Sequence, residues 1–112
     1  MVDLPVWDQT YLMSAYRDIE EFQVHARQMG MALVGWLHAN SLLIEPVSEL
    51  GSAETDTLRI MESHLSPIGQ AMSEDLAFDR WMKANDDIQK PVSMRSLDRS
   101  LKKCSGLTKK PN

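Results

Sequence analysis

Residues 12–37 set what this chain can fold into. Read in sevens, Leu12, Ile19, Ala26 and Leu33 form one column, and Ala15, Phe22, Met29 and Trp36 form a second, three residues on. Residues three and four apart share a face of an α-helix, so the two columns make one apolar stripe. Ser14, Asp18, Glu21, His25 and Gln28 hold the opposite face over the first half. The spacing predicts one long helix, with Asp8 as N-cap and Trp7 and Leu12 placed as a hydrophobic staple. Past residue 29 the pattern changes: Met29, Met31, Ala32, Leu33, Val34, Trp36 and Leu37 leave almost no polar face. A helix that is apolar all round is covered on several sides. This half is therefore expected either at the centre of the core, partly under the helix that begins at Pro67, or against a second copy of the chain in a homodimer. Gly30 and Gly35 each weaken a helix by about 1 kcal/mol relative to Ala, which leaves a kink or break near Gly30 open. Both are read as notches where another helix packs closely, and Asn40 as the stop, since Asn tolerates the left-handed conformation.

Downstream, residues 42–47 are apolar but closed by Pro46, which confines any strand there to an edge. Residues 48–56 read as a loop, and Leu58 and Ile60 alternate as in a half-buried strand. The two apolar segments are expected to pair as a small antiparallel ribbon, with a short helix over 54–64 as the competing reading. Ser66-Pro67 is a capping serine followed by proline at the first helical position, and it opens a helix expected to reach about Asn85. A last helix is expected from Ser93 or Ser96, burying Leu97, Leu101 and Cys104 at i, i+4 and i+7. The fold class that follows is mainly α: a small bundle of three to four helices built on the long N-terminal one, with a minor two-stranded β-ribbon. Residues 1–106 are expected as one domain, and 107–112 as a disordered basic tail with nothing to bury.

A chain of 112 residues is one domain's worth and buries about 65% of its unfolded surface. No apolar run approaches the length of a membrane span, and the first residues lack the basic and apolar regions of a signal peptide. With a single cysteine, Cys104, these features point to a reducing, cytoplasmic setting. The net charge of −4 hides a split: residues 1–88 hold 5 Lys/Arg against 15 Asp/Glu, and residues 89–112 hold 7 against 1. An acidic body thus carries a basic arm.

No set of residues names a reaction. His25, His38 and His64 lack the i, i+4 spacing of a helical metal pair, and one cysteine makes no CxxC. Gly30 and Gly35 have the spacing of a phosphate loop, but Trp36-Leu37 stand where Lys-Ser/Thr would contact phosphate. Glu21 and His25, four apart, read as a solvated ion pair. Cys104 reads as a small hydrophobe, not a nucleophile. Neither metal, cofactor nor enzymatic activity is expected.

The acids are more informative. On one helix through 67–86, Asp75, Asp79 and Asp86 fall within about 40° of one another at ~100° per residue. Asp86 and Asp87 also sit at its C-terminus, where the macrodipole favours cations. Local rules broken in this way tend to mark functional sites. Glu74, Asp75, Asp79, Met82, Asp86 and Asp87 are therefore the candidates for gripping a basic partner. Arg95, Arg99, Lys102 and Lys103, followed by Lys109 and Lys110, form the alternative footprint, for nucleic acid, although the acidic body opposes it. Of the eight methionines, Met29, Met31, Met72 and Met82 stand at core-like spacings and are read as core filling. The expectation that follows is a non-enzymatic protein-binding protein, in particular a small acidic bacterial neutraliser (a toxin immunity protein or antitoxin) that occludes a basic site on a cognate toxin. A DNA-binding regulator and a homodimeric assembly protein are the alternatives.

Overall fold

The computed structural model describes residues 3–108. Among them the chain runs β1 (Pro5–Asp8), α1 (Gln9–Ala15), α2 (Glu20–Ala39), β2 (Arg59–Met61), α3 (Pro67–Glu74), α4 (Ala77–Ala84) and α5 (Arg95–Thr108), with single 3₁₀ turns at Val47–Glu49 and Glu62–His64. The architecture is mainly helical with a small two-stranded antiparallel sheet, as the periodicity implies. No described helix is long and apolar enough to cross a membrane. Residues 109–112, most of the expected tail, lie outside the described residues, and α5 continues past Gly106 to Thr108.

The long N-terminal helix is divided, and not at a glycine. Asp8 caps α1, its carboxylate accepting from the Tyr11 amide, but the helix ends at Ala15. Residues 16–18 turn, Ile19 is extended, and α2 starts at Glu20 and passes unbroken through Gly30 and Gly35. The turn folds α1 back on α2 and brings the start of the chain against the middle of α2. Trp7 and Gln9 are buried there, the Trp7 indole donating to Gln9 Oε1 at 2.8 Å. A Cβ on Gly30 would lie 2.7 Å from that oxygen and 3.0 Å from Trp7 Nε1, so Gly30 is a notch for this pair. Gly35 faces open space.

The same contact ties down the 51–58 loop. Gln9 Nε2 donates to Asp56 Oδ1 at 3.3 Å, and Arg27 holds Asp56 through two parallel bonds of 3.0 Å. The Arg27 guanidinium beside it keeps the Asp56 carboxyl below its ordinary value of 3.8. At the far end of α2, Asn40 is the C-cap, but the left-handed residue is Ser41, at φ 57°. Amides of Ser41 and Leu42 close back on the carbonyls of His38 and Leu37, a Schellman motif with serine where glycine is usual.

The ribbon has a different partner from the one expected. Residues 59–61 are a strand, but they pair with β1 in the register Pro5↔Met61, Trp7↔Ile60, Asp8↔Arg59, with an irregularity between Pro5 and Trp7. Residues 42–44 meet 64–66 instead, through the Leu43↔Leu65 bridge. Burial explains the choice, because pairing β1 with β2 sends Val6, Trp7 and Ile60 into the core. Proline at the first position of β1 leaves the ladder intact.

The expected 67–85 helix is also two. Ser66 caps α3 with Pro67 at its first position, but α3 ends at Glu74, Leu76 takes φ 60°, and α4 begins at Ala77. On one continuous helix Met72 would face away from Phe78 and Trp81 at ~100° per residue. The break lets Met72, Ala77, Phe78 and Trp81 all enter one core, where Trp81 meets Trp7 with ring centroids 6.1 Å apart. Helix α5 packs on α3 and α4 with Leu97 and Cys104 buried and Leu101 half-buried, in the expected spacing.

Two outcomes follow. Gly30→Ala is expected to destabilise by about 1–3 kcal/mol through overpacking, whereas Gly35→Ala gains up to about 1 kcal/mol of helix propensity; denaturant midpoints separate the two. A lowered Asp56 pKa means that its ion pair contributes fully above the ordinary value of 3.8 and is lost as pH falls through the folded-state value. The melting-temperature gap between the native chain and Asp56→Asn is thus full at neutral pH and closes in stronger acid.

Candidate functional site: an apolar cleft with an acidic rim

Folding α1 back on α2 leaves a cleft between that corner and the end of α4. Tyr16 and Phe22 flank the corner with their rings edge to face, centroids 5.3 Å apart. Trp7, Leu12 and Met29 form the inner wall, and Met82 and Ile88 come from α4 and the segment after it. The cleft encloses about 110 Å³. Ligand pockets run to roughly 300–1,000 Å³, while an apolar void of about 150 Å³ takes benzene. This cleft is therefore sized for one side chain, not for a cofactor.

Its polar edge is set by Asn85, which is buried. The Asn85 amide donates to the carbonyls of Trp81 and Ser93 at 2.9 and 3.0 Å and accepts from the Ser93 amide at 2.7 Å. The Asn85 carbonyl accepts from His25 Nε2 at 2.6 Å, so that nitrogen carries a proton and the imidazole is held at the cleft wall. Asp86, next in the chain, lines the opening. An adjoining depression, sharing His25 and Ile88, is lined by Glu20, Glu21, Val24 and Gln28. Among the described residues Glu20, Glu21 and Asp86 enter no salt bridge. The Glu21–His25 ion pair read from the sequence does not form, because His25 is taken by Asn85.

The candidate acids do not share one helical face: the break at Leu76 parts Glu74 and Asp75 from Asp79, and α4 ends at Ala84, before Asp86 and Asp87. Only Met82 and Asp86 meet, at the cleft. Asp75 is the C-cap of α3, bound by Arg80 Nη2 at 2.8 Å and by Lys103 Nζ at 3.3 Å. Arg80 first, and Lys103 second, hold its carboxyl below the ordinary range. Glu74 is exposed at the end of α3. Asp79 lies in a separate hollow with Leu4, Val6 and Phe78. Asp87 closes a turn by accepting from the Gln89 amide at 2.9 Å.

Of the basic set, Arg95, Arg99, Lys102 and Lys103 are exposed along α5, and Lys103 is engaged by Asp75. Within the proposed dimer segment, Met29, Gly30, Leu33 and Leu37 are buried in the chain's own core, which leaves Met31 (49% exposed) and Gly35 on the outside. Burial pushes the Cys104 thiol up, away from nucleophilic use. Among the described residues no group of three or more His, Cys, Asp or Glu could hold a metal ion. Tyr16, Phe22, Glu20, Glu21 and Ile88 escaped the sequence reading as site residues; the signal for the first two, aromatics six apart, makes sense only once the helix breaks between them. Compared with family models, curated proteins and solved structures, the chain finds no match.

Replacing Asn85 by Ala leaves the Ser93 amide without its partner. The expected loss is about 1–3 kcal/mol of stability, read by denaturant unfolding. An unchanged midpoint would remove Asn85 from its organising role.

Proposed function

We infer that the chain is a non-enzymatic protein-binding module whose cleft takes one apolar side chain of a partner, while Glu20, Glu21 and Asp86 meet basic residues beside it. The observation that carries this reading is a side-chain-sized apolar cleft bordered by three acids that lack ion-pair partners among the described residues. Interfaces concentrate their binding energy in buried aromatic and apolar anchors, and charges at the rim steer encounter and select partners. Asp86 adds a local argument. It lies two residues beyond the last residue of α4, where the helix macrodipole disfavours an acid, so the fold alone gives no reason for it.

Occlusion of a basic site on another protein is the mode of binding that suits a small acidic body. A cytoplasmic neutraliser, of the toxin-immunity or antitoxin kind, is the form of that role we propose. Copy-to-copy assembly has less to support it, because α2 turns most of its apolar half inward.

A display library of short random peptides tests the reading without a known partner. Enriched peptides are expected to carry an aromatic or leucine side chain flanked by Lys or Arg. Their affinity should fall at least tenfold for a chain carrying Glu20→Lys, Glu21→Lys and Asp86→Lys, and also for Met82→Glu. Absence of enrichment, or equal binding to both variants, would overturn it.

A further inference from the structure

The outer groove between α4 and α5 has a chemistry that the cleft does not use. Arg80 on α4 reaches Ser100, and Asn85 at the end of α4 meets Ser93 just before α5, so the two helices run antiparallel. Buried Ser100 and half-buried Ser96 floor a groove of about 480 Å³ that is edged by exposed Arg80, Arg99 and Lys103. One end already holds an oxyanion from the chain itself, the Asp75 carboxylate between Arg80 and Lys103. Arg99 differs from both. Among the described residues its side chain enters no ion pair or hydrogen bond.

The cations also repeat. Arg95, Arg99 and Lys103 recur every four residues, or about 6 Å along the helix axis. The single acid of residues 89–112, Asp98, is turned to α2, where it accepts from the Trp36 indole at 2.8 Å. The basic row thus runs without an acid among it until Asp75. The floor decides what such a row fits. An acidic helix would need an apolar seam to bury, and beside Ser96 and Ser100 the groove offers only Ala84. A phosphodiester strand needs repeated cations and hydroxyl donors for its phosphate oxygens, and neither carries base information.

We propose that the α4–α5 groove docks a single nucleic-acid strand through its phosphates, without reading its sequence. Arg95, Arg99 and Lys103 take successive phosphates, and the Ser96 hydroxyl donates to the phosphate nearest the floor. Arg80 remains on Asp75 and fixes the groove's other wall. This site is independent of the cleft, so either proposal can fail alone.

Fluorescence anisotropy of labelled oligonucleotides with the full chain tests it. A single strand is expected to bind at low salt, with log K falling against log salt at a slope of about −2, as about three phosphate contacts at ~0.7 each require. The double variant Arg95→Glu, Arg99→Glu should bind at least tenfold more weakly, with the slope flattened by about 1.4. An unchanged melting temperature of that variant shows that the fold is retained; should it melt early, Arg99→Gln alone reads the same loss, with one contact removed from the slope. Three outcomes would overturn the proposal: no saturable binding at low salt, equal binding by the variants, or equal competition by polyglutamate of the same charge. A duplex bound more tightly than the single strand would overturn it too, because the open face of α5 would then be the contact.

Discussion

The side chain of Asn85 is the interaction on which the rest of the arrangement depends. Helix α4 ends one residue earlier, and the Trp81 carbonyl near that end receives the Asn85 side-chain amide. The other bonds of that amide fix Ser93, two residues before α5 begins. Its own carbonyl takes His25 from α2. One residue therefore sets where α4 stops, how α5 enters, and how far α2 stands from both. A single hydrogen bond adds only about 0.5–1.5 kcal/mol, so the weight of this group is geometric. Met82 and Asp86 flank it in sequence, and the cleft has its shape because Asn85 holds that stretch against His25.

How much of this was legible in the chain depends on whether the signal was local. Capping at Asp8 and at Ser66-Pro67, the stop at Asn40, and the burial of Leu97 and Cys104 all rest on a few consecutive residues, and all appear. The breaks at 16–19 and at Leu76 have no glycine or proline to announce them. Each is imposed from a distance. The first brings Trp7 and Gln9 to Gly30; the second brings Met72, Phe78 and Trp81 to one side. A hint was present, however. Apolar residues running nearly all the way round the supposed 67–85 helix are what two helices with different faces look like when drawn as one. The strand β1 was missed for a related reason: four residues beginning with proline carry too little period to be seen, and only their partner, β2, defines them.

The acids divide by the kind of reason they have. Glu20 and Glu21 lie in the first turn of α2, whose N-cap, Ile19, makes no side-chain cap bond, and acids there favour the helix dipole. Asp56 and Asp75 are bound by cations within the fold. Asp86 has neither justification. It stands beyond the C-terminal end of a helix, exposed, beside an apolar cleft. The broken electrostatic rule read from the sequence thus survives at Asp86, whereas Asp75, the C-cap of α3, has its charge met by Arg80 and Lys103.

Arg80 shows why the break at Leu76 persists. A leucine in the left-handed region carries a penalty of roughly 1–2 kcal/mol, and here the side chain is 59% exposed, so burial offsets little of it. Arg80 acts on the turn itself, donating to both the carbonyl and the carboxylate of Asp75. Because α4 has been turned to send Phe78 and Trp81 inward, Arg80 emerges on the opposite side, over α5 and within reach of Ser100. The strain at Leu76, the core beneath α4 and the basic edge of the α4–α5 groove are thus consequences of one turn.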